Sequence, residues 1–218
     1  MRPRVKICCI LDEAEAALAV EAGADCVGLV GPGLSGPEVR DEATIARIAL
    51  QLPPPVGGVL LTRVTDPTRL VDQIRRCATP WVQICDAATE ATWLAVRTAL
   101  PNVRILQVVH VHDEAAIAEA SRVAPFVDAV LLDSGTPSGP NPVYGGTGRT
   151  HDWQISRTIV QTCGRPVFLA GGLRPENVVE AWETVRPFGL DLCSGVRTHG
   201  KLDPERLRAY FARVSRLS

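Results

Sequence analysis

Two short stretches of the chain have the residues to hold an anion. Phe168-Leu-Ala-Gly-Gly-Leu173 and Asp191-Leu-Cys-Ser-Gly-Val-Arg197 are each an apolar run that breaks into glycine ahead of a helix-like pattern. Where a strand ends in glycine beside a helix start, backbone N–H groups point outward with no Cβ in the way, an arrangement that binds anions, phosphate above all. The paired turns at Gly171-Gly172 and Ser194-Gly195 therefore predict one phosphate held between them. Four other side chains able to do chemistry, Cys8, Cys85, His110 and Asp133, also stand where apolar runs stop. His110 and His112 form an H-x-H pair, but no Asp, Glu or third His occupies a complementary place, so no metal is expected.

The elements that must position these residues follow from periodicity. Apolar runs at 4–10, 26–30, 56–61, 81–84, 104–109, 129–133, 167–170 and 190–193 read as buried strands, each followed by a helical pattern. Continuous apolar strands alternating with helices indicate a parallel sheet covered on both faces. Eight such units without a composition break predict a single domain over 1–218, a (β/α)8 TIM barrel of the α/β class. A doubly wound open sheet is the alternative, but Cys8-Cys9-Ile10-Leu11-Asp12 lacks the glycine fingerprint expected after its first strand. In a barrel, catalytic groups lie at the C-terminal strand ends. Strand alternation sets Lys6 on the side of Cys8 and turns Cys9 the other way. Asp152 is expected to cap a helix and Trp153 to pack, while Asn177 reads as a contact at a helix start. The glycine- and proline-rich segment 134–149 reads as a loop over the substrate.

Composition narrows the function classes. A chain of 218 residues, 46% hydrophobic and 22% charged, is long enough to bury a sizeable core. A net charge of −1 offers no basic face, so nucleic acid is not an expected partner. No apolar run reaches the length of a membrane span, so no membrane partner is expected either. Seven cysteines, several in apolar runs and none in a C-x-x-C pair, together with the lack of a signal peptide at the start, lead to reduced thiols and a cytoplasmic location. Monomer and homodimer are both compatible with the sequence.

Taken together, Lys6-Ile-Cys8, Leu132-Asp133, Tyr144-Gly-Gly-Thr-Gly148 with Asp152-Trp153, Leu169-Ala-Gly-Gly-Leu-x-Pro-Glu-Asn-Val178 and Asp191-x-x-Ser-Gly-Val196 resemble the phosphoribosylanthranilate isomerase family from first strand to last helix. The resemblance implies a (β/α)8 barrel that performs an Amadori rearrangement of a phosphoribosyl-amine in tryptophan biosynthesis, with no cofactor and no metal. Carried over by position, Asp133 is the acid that opens the sugar ring and Cys8 the base that takes the C2 proton. Gly145, Gly146, Gly171, Gly172, Ser194 and Gly195 form the phosphate site of a small phosphosugar substrate, and Lys6, Gln83 and Arg197 are further substrate contacts. An apolar environment raises a carboxyl's pKa into the range useful for an acid, whereas a thiol needs a nearby positive field to ionise, to which Lys6 can contribute.

The sequence departs from this family at the end of the site away from the phosphate. The family's Ser-x-Arg, whose arginine holds the anthranilate carboxylate, is replaced by Leu34-Ser-Gly-Pro37. Its Gln-Leu-His-Gly reads Gln83-Ile-Cys-Asp86, the glutamate after Ser-Gly-Val is Arg197, and the loop through Ser138-Gly-Pro-Asn-Pro142 is longer. Arg40, Arg63 and Arg197 are the cations near strand ends that can replace the lost arginine. Three readings follow: an isomerase with a rearranged carboxylate site, a paralogue isomerising a different phosphorylated sugar or amine, and a non-catalytic phosphosugar-binding protein.

Overall fold

The chain repeats one short unit, in which a buried strand, a turn and a capping aspartate lead into a helix. The computed structural model describes residues 2–135 and 151–217. In five of the eight α-helices among the described residues the N-cap is an aspartate whose carboxylate accepts a first-turn N–H: Asp12 for α1 (Glu13–Ala22), Asp41 for α2 (Glu42–Gln51), Asp66 for α3 (Pro67–Cys77), Asp152 for α6 (Trp153–Thr162) and Asp203 for α8 (Pro204–Val214). Each cap satisfies an orphaned donor and sets negative charge against the positive end of the helix dipole. The remaining helices, α4 (Glu90–Ala99), α5 (Ala115–Val123) and α7 (Val178–Val185), begin without a side-chain cap bond.

Eight strands, β1 (Arg4–Ile7), β2 (Cys26–Val30), β3 (Gly57–Thr62), β4 (Trp81–Ile84), β5 (Arg104–His110), β6 (Ala129–Asp133), β7 (Val167–Leu169) and β8 (Gly189–Leu192), hydrogen-bond in chain order into a closed barrel. The architecture is the expected (β/α)8 barrel.

By packing, the residues fall into two compact units. One comprises Ile7–Val108 with Phe126–Asp128. Its strands form a parallel ladder in which Gly28, Val59, Trp81 and Arg104 lie in register. Buried polar side chains tie its strand ends to its loops. Thr62 donates to Gln73 at 2.6 Å, Gln73 donates to the Pro32 carbonyl at 3.1 Å, and the Trp93 indole donates to Gln107 at 3.0 Å. Such groups lose water on burial and are kept only where a partner replaces it.

The other unit comprises the chain up to Lys6, Val109–Pro125 and the chain from Ala129 onward. Here Leu131, Phe168 and Gly189 are in register, as are Leu132, Leu169 and Leu190. Gly189 is required by packing, because a Cβ there would come within 2.4 Å of the Phe168 ring. An antiparallel pair, β9 (Arg197–Thr198) with β10 (Lys201–Leu202), follows β8 and was not anticipated from the periodicity.

Two boundaries correct the sequence reading. The first strand ends at Ile7 rather than Ile10, because Cys9 adopts a left-handed conformation (φ 65°) that extended chain cannot contain. Strand alternation therefore stops before Cys8, and neither the shared side of Lys6 and Cys8 nor the opposed direction of Cys9 follows from it. The sequence pattern runs a helix from Pro175 to Arg186, but α7 starts at Val178, because Asn177 closes a separate turn ahead of it.

Candidate active site

Asp133 is the last residue of β6 and is 9% exposed. Backbone bonds register its strand end on both sides: Val111 N–H donates to the Asp133 carbonyl at 2.9 Å, and Ala170 N–H to the Leu132 carbonyl at 2.8 Å. The carboxylate Oδ1 accepts the N–H of Ser134 at 2.8 Å, which fixes its orientation. Burial pushes the Asp133 carboxyl above the usual carboxylate range, with the negative charge of Asp191 adding to the effect. His110, the Ser134 N–H and Lys6 pull in the other direction. Asp133 is thus suited to hold a proton that an ordinary aspartate would have lost, and to deliver it.

The two glycine turns stand next to this acid and against one another. Gly171 (φ 84°) and Gly172 (φ 65°) are both left-handed, conformations that glycine adopts without a side-chain clash. A Cβ on Gly171 would meet the Ser134 side chain at 2.7 Å, so the β7 turn and the residue after Asp133 are in direct contact. A Cβ on Gly195 would lie 1.9 Å from the Leu173 carbonyl oxygen, so the turn after β8 packs backbone to backbone on the turn after β7. Asn177 locks the β7 turn: its Oδ1 accepts the Arg174 N–H at 2.9 Å, and its Nδ2 donates to the Gly172 carbonyl at 3.0 Å. Among the described residues, the N–H groups of Gly172, Ser194 and Gly195 have no acceptor. Three backbone donors held close together without partners suit a phosphate.

Lys6 is fully buried, and its ammonium meets the Asp191 carboxylate of β8 at 2.9 Å. Burial pushes Asp191 above its usual range while Lys6 draws it back down. Tyr210 of α8 is also fully buried, and burial together with the Asp191 charge drives its phenol well above the ordinary tyrosine range. Asp191 is the functional-looking residue that the sequence reading did not single out. Its signal was available, since an aspartate inside Gly189-Leu-Asp-Leu192 must be buried and demands a cation. Arg197 stands in β9, with Nη1 donating to the Gly200 carbonyl at 2.9 Å. His110 and His112 stack with ring centroids 6.4 Å apart, and among the described residues no three His, Cys, Asp or Glu side chains converge for a metal.

In the other unit, Cys8 lies just past β1, 5% exposed, with the Cys9 thiol 3.7 Å from its Sγ. Gln83 is buried in β4, between Leu61 and Leu106, and its Nε2 approaches Cys85 Sγ at 3.8 Å. Gly145 and Gly146, and most of the expected substrate-covering loop, lie outside the described residues.

The chain is a (β/α)8 barrel with a buried carboxyl at the end of β6 and, among the described residues, backbone N–H groups without acceptors in the turns after β7 and β8. The chain belongs to the N-(5'-phosphoribosyl)anthranilate isomerase family, whose model matches residues 5–213. It is 40% identical over 198 residues to the N-(5'-phosphoribosyl)anthranilate isomerase of Haloarcula marismortui, covering 90% of this chain and 88% of that protein. The crystal structure of phosphoribosyl anthranilate isomerase from Thermotoga maritima is similar throughout, with a TM-score of 0.83 at 30% identity, covering 99% of this chain and 100% of that one. A further solved isomerase of the family, in complex with reduced 1-(o-carboxyphenylamino)-1-deoxyribulose 5-phosphate, gives a TM-score of 0.80 at 28% identity, with 99% and 100% covered.

Proposed function

We propose that this chain isomerises N-(5'-phosphoribosyl)anthranilate to the corresponding 1-deoxyribulose 5-phosphate, an Amadori rearrangement in tryptophan biosynthesis, with Asp133 as general acid and Cys8 as general base. The observation that carries the reading is the contact between acid and cradle, since the residue after Asp133 touches the Gly171 turn. A sugar phosphate seated on the Gly172, Ser194 and Gly195 N–H groups would present its ring close to that carboxyl.

The chemistry then needs two proton movements. Asp133 gives its proton to the furanose ring oxygen as the C1–O bond breaks, and the nitrogen lone pair forms the Schiff base. The Cys8 thiolate takes the proton from C2, whose electron pair moves to form the enolamine. That species tautomerises to the ketone when C1 gains a proton and the C2 hydroxyl loses one. Electrons are only redistributed within the substrate, so the sequence balances without an oxidant or reductant. A carboxyl whose burial favours the neutral form suits the first movement, because it holds its proton more tightly than an exposed aspartate and can release it to a developing base.

Turnover of N-(5'-phosphoribosyl)anthranilate, paired with complementation of a tryptophan auxotroph, tests the proposal. The wild-type chain is expected to do both, and Cys8→Ala and Asp133→Asn are each expected to lose on the order of 100-fold or more in kcat. Turnover that survives both substitutions would sink the mechanism. The changed residues at Pro37, Cys85 and Arg197 favour a second reading, a paralogue with a different amine. A chain that binds the cradle's phosphate but leaves this substrate untouched would favour it.

A further inference from the structure

Cys8 and Cys9 are consecutive residues whose sulfurs are in contact. The Cys9 thiol donates to Cys8 Sγ at 3.7 Å, and both residues belong to the unit that begins at Ile7. Consecutive residues of an extended strand send their side chains to opposite faces, which holds two such sulfurs apart. The left-handed backbone at Cys9 (φ 65°) breaks that alternation and leaves them touching. Residues other than glycine take this conformation only against steric strain, and such outliers cluster where a function keeps them. Exposure differs within the pair: Cys8 is 5% exposed, whereas Cys9 is half-buried and meets solvent. Neither is in a disulfide.

We propose that Cys8 and Cys9 form a modification site, a vicinal dithiol that a peroxide closes into a disulfide and that a small thiol reopens. The sulfurs have to close from 3.7 Å to about 2 Å, which rotation about the two Cα–Cβ bonds can supply. Neighbouring Cα atoms across a trans peptide are about 3.8 Å apart, below the roughly 4.4–6.8 Å that most disulfides span. The closed ring is therefore strained. Strain makes a disulfide easy to reduce, which is the property a reversible site requires.

The reaction starts at the more exposed sulfur. The Cys9 thiolate attacks one oxygen of the peroxide, and the O–O bond breaks. Cys9 becomes a sulfenic acid, and hydroxide leaves and takes up a proton. The Cys8 thiolate then attacks the Cys9 sulfur, the S–S bond forms, and the S–O bond breaks to release a second hydroxide. Two thiols give up two protons and two electrons, and hydrogen peroxide becomes two waters. The dithiol chemistry needs no substrate. Its consequence for turnover rests on the isomerase reading, in which Cys8 is the base: the closed pair has no thiolate to take the C2 proton.

The test treats the full chain with hydrogen peroxide, alkylates the remaining thiols and cleaves ahead of aspartate. Cleavage before Asp12 releases peptide 1–11, whose only cysteines are these two. After peroxide that peptide is expected to be lighter by two hydrogens and unalkylated. Turnover is expected to fall roughly 100-fold with it and to return with dithiothreitol. Cys9→Gly suits the left-handed backbone and is expected to fold at least as well as wild type. Under prolonged peroxide it should go on to sulfinic and sulfonic acid at Cys8, a loss that dithiothreitol does not reverse. A wild-type peptide that stays alkylated at both thiols, or that carries sulfinic or sulfonic groups in place of the disulfide, overturns the site. So does Cys8 joined to a third cysteine, or a Cys9→Gly variant that recovers as wild type does. A disulfide that forms while turnover is unchanged upholds the site and removes Cys8 as the base. Wild-type protein without isomerase activity removes the isomerase reading, and the mass of peptide 1–11 still decides the site.

Discussion

In the proposed mechanism Asp133 serves function at the expense of stability. A carboxyl pushed above its usual range means that the folded protein binds a proton more tightly there than the unfolded chain does. As pH rises through the ordinary carboxylate range, the unfolded state releases that proton first, so stability contributed by the neutral form is lost going upward. Asp133→Asn mimics the protonated acid and keeps an oxygen for the Ser134 N–H. The variant is expected to lose turnover yet melt higher than wild type at pH 7. The difference should shrink as pH falls below about 4, where wild-type Asp133 is protonated in both states. Thermal unfolding across pH reads this directly, and a variant less stable than wild type at pH 7 would contradict it. Asp133 was legible from the sequence as a polar residue ending an apolar run. Its distant companions were not, because His110 and Asp191 approach it only once three strands are aligned.

The informative element is the pair of turns after β7 and β8. Their glycines predict an anion site in type and spacing, and the structure adds a packing reason for Gly171 and Gly195. Gly195 has no room for a methyl group because the Leu173 carbonyl occupies that space. Gly195→Ala is expected to separate the turns, with a cost of roughly 2 kcal/mol or more in stability from the clash with rigid backbone. Inorganic phosphate is expected to raise the wild type's melting temperature by binding the folded state at these turns, and the same variant should abolish that rise. An alanine variant that kept both its melting point and its phosphate response would show that the close approach is unimportant. The limits of reading elements from periodicity are visible at β1 and α7. Apolar character continues past Ile7, but the left-handed Cys9 ends the strand. Pro175 looks like a helix start, yet the two side-chain bonds of Asn177 delay the helix by a turn. Both depend on backbone angles and side-chain geometry that hydrophobic pattern does not encode.

For the whole molecule, the order of strands was the most legible property, because eight apolar runs alternating with helical patterns leave few alternatives. What pattern could not supply is the link between distant parts of the chain. Lys6 and Asp191 are separated by 185 residues and meet at 2.9 Å in a buried pair. Removing one partner of such a pair leaves the other charged and desolvated. Lys6→Met is expected to cost about 3–5 kcal/mol, while Lys6→Met with Asp191→Leu should recover much of that loss. Chemical denaturation of the two single variants and the double variant measures it, and additive losses would show that the pair is not coupled.

That same pair bears on the moment of synthesis. A ribosome delivers Asp191 185 residues after Lys6, so through all of that stretch the lysine of β1 has no carboxylate from β8. A nascent or truncated chain that stops before β8 must either keep β1 in water or bury an ammonium alone, and water is by far the cheaper choice. β1 is thereby expected to settle only once β8 has been made.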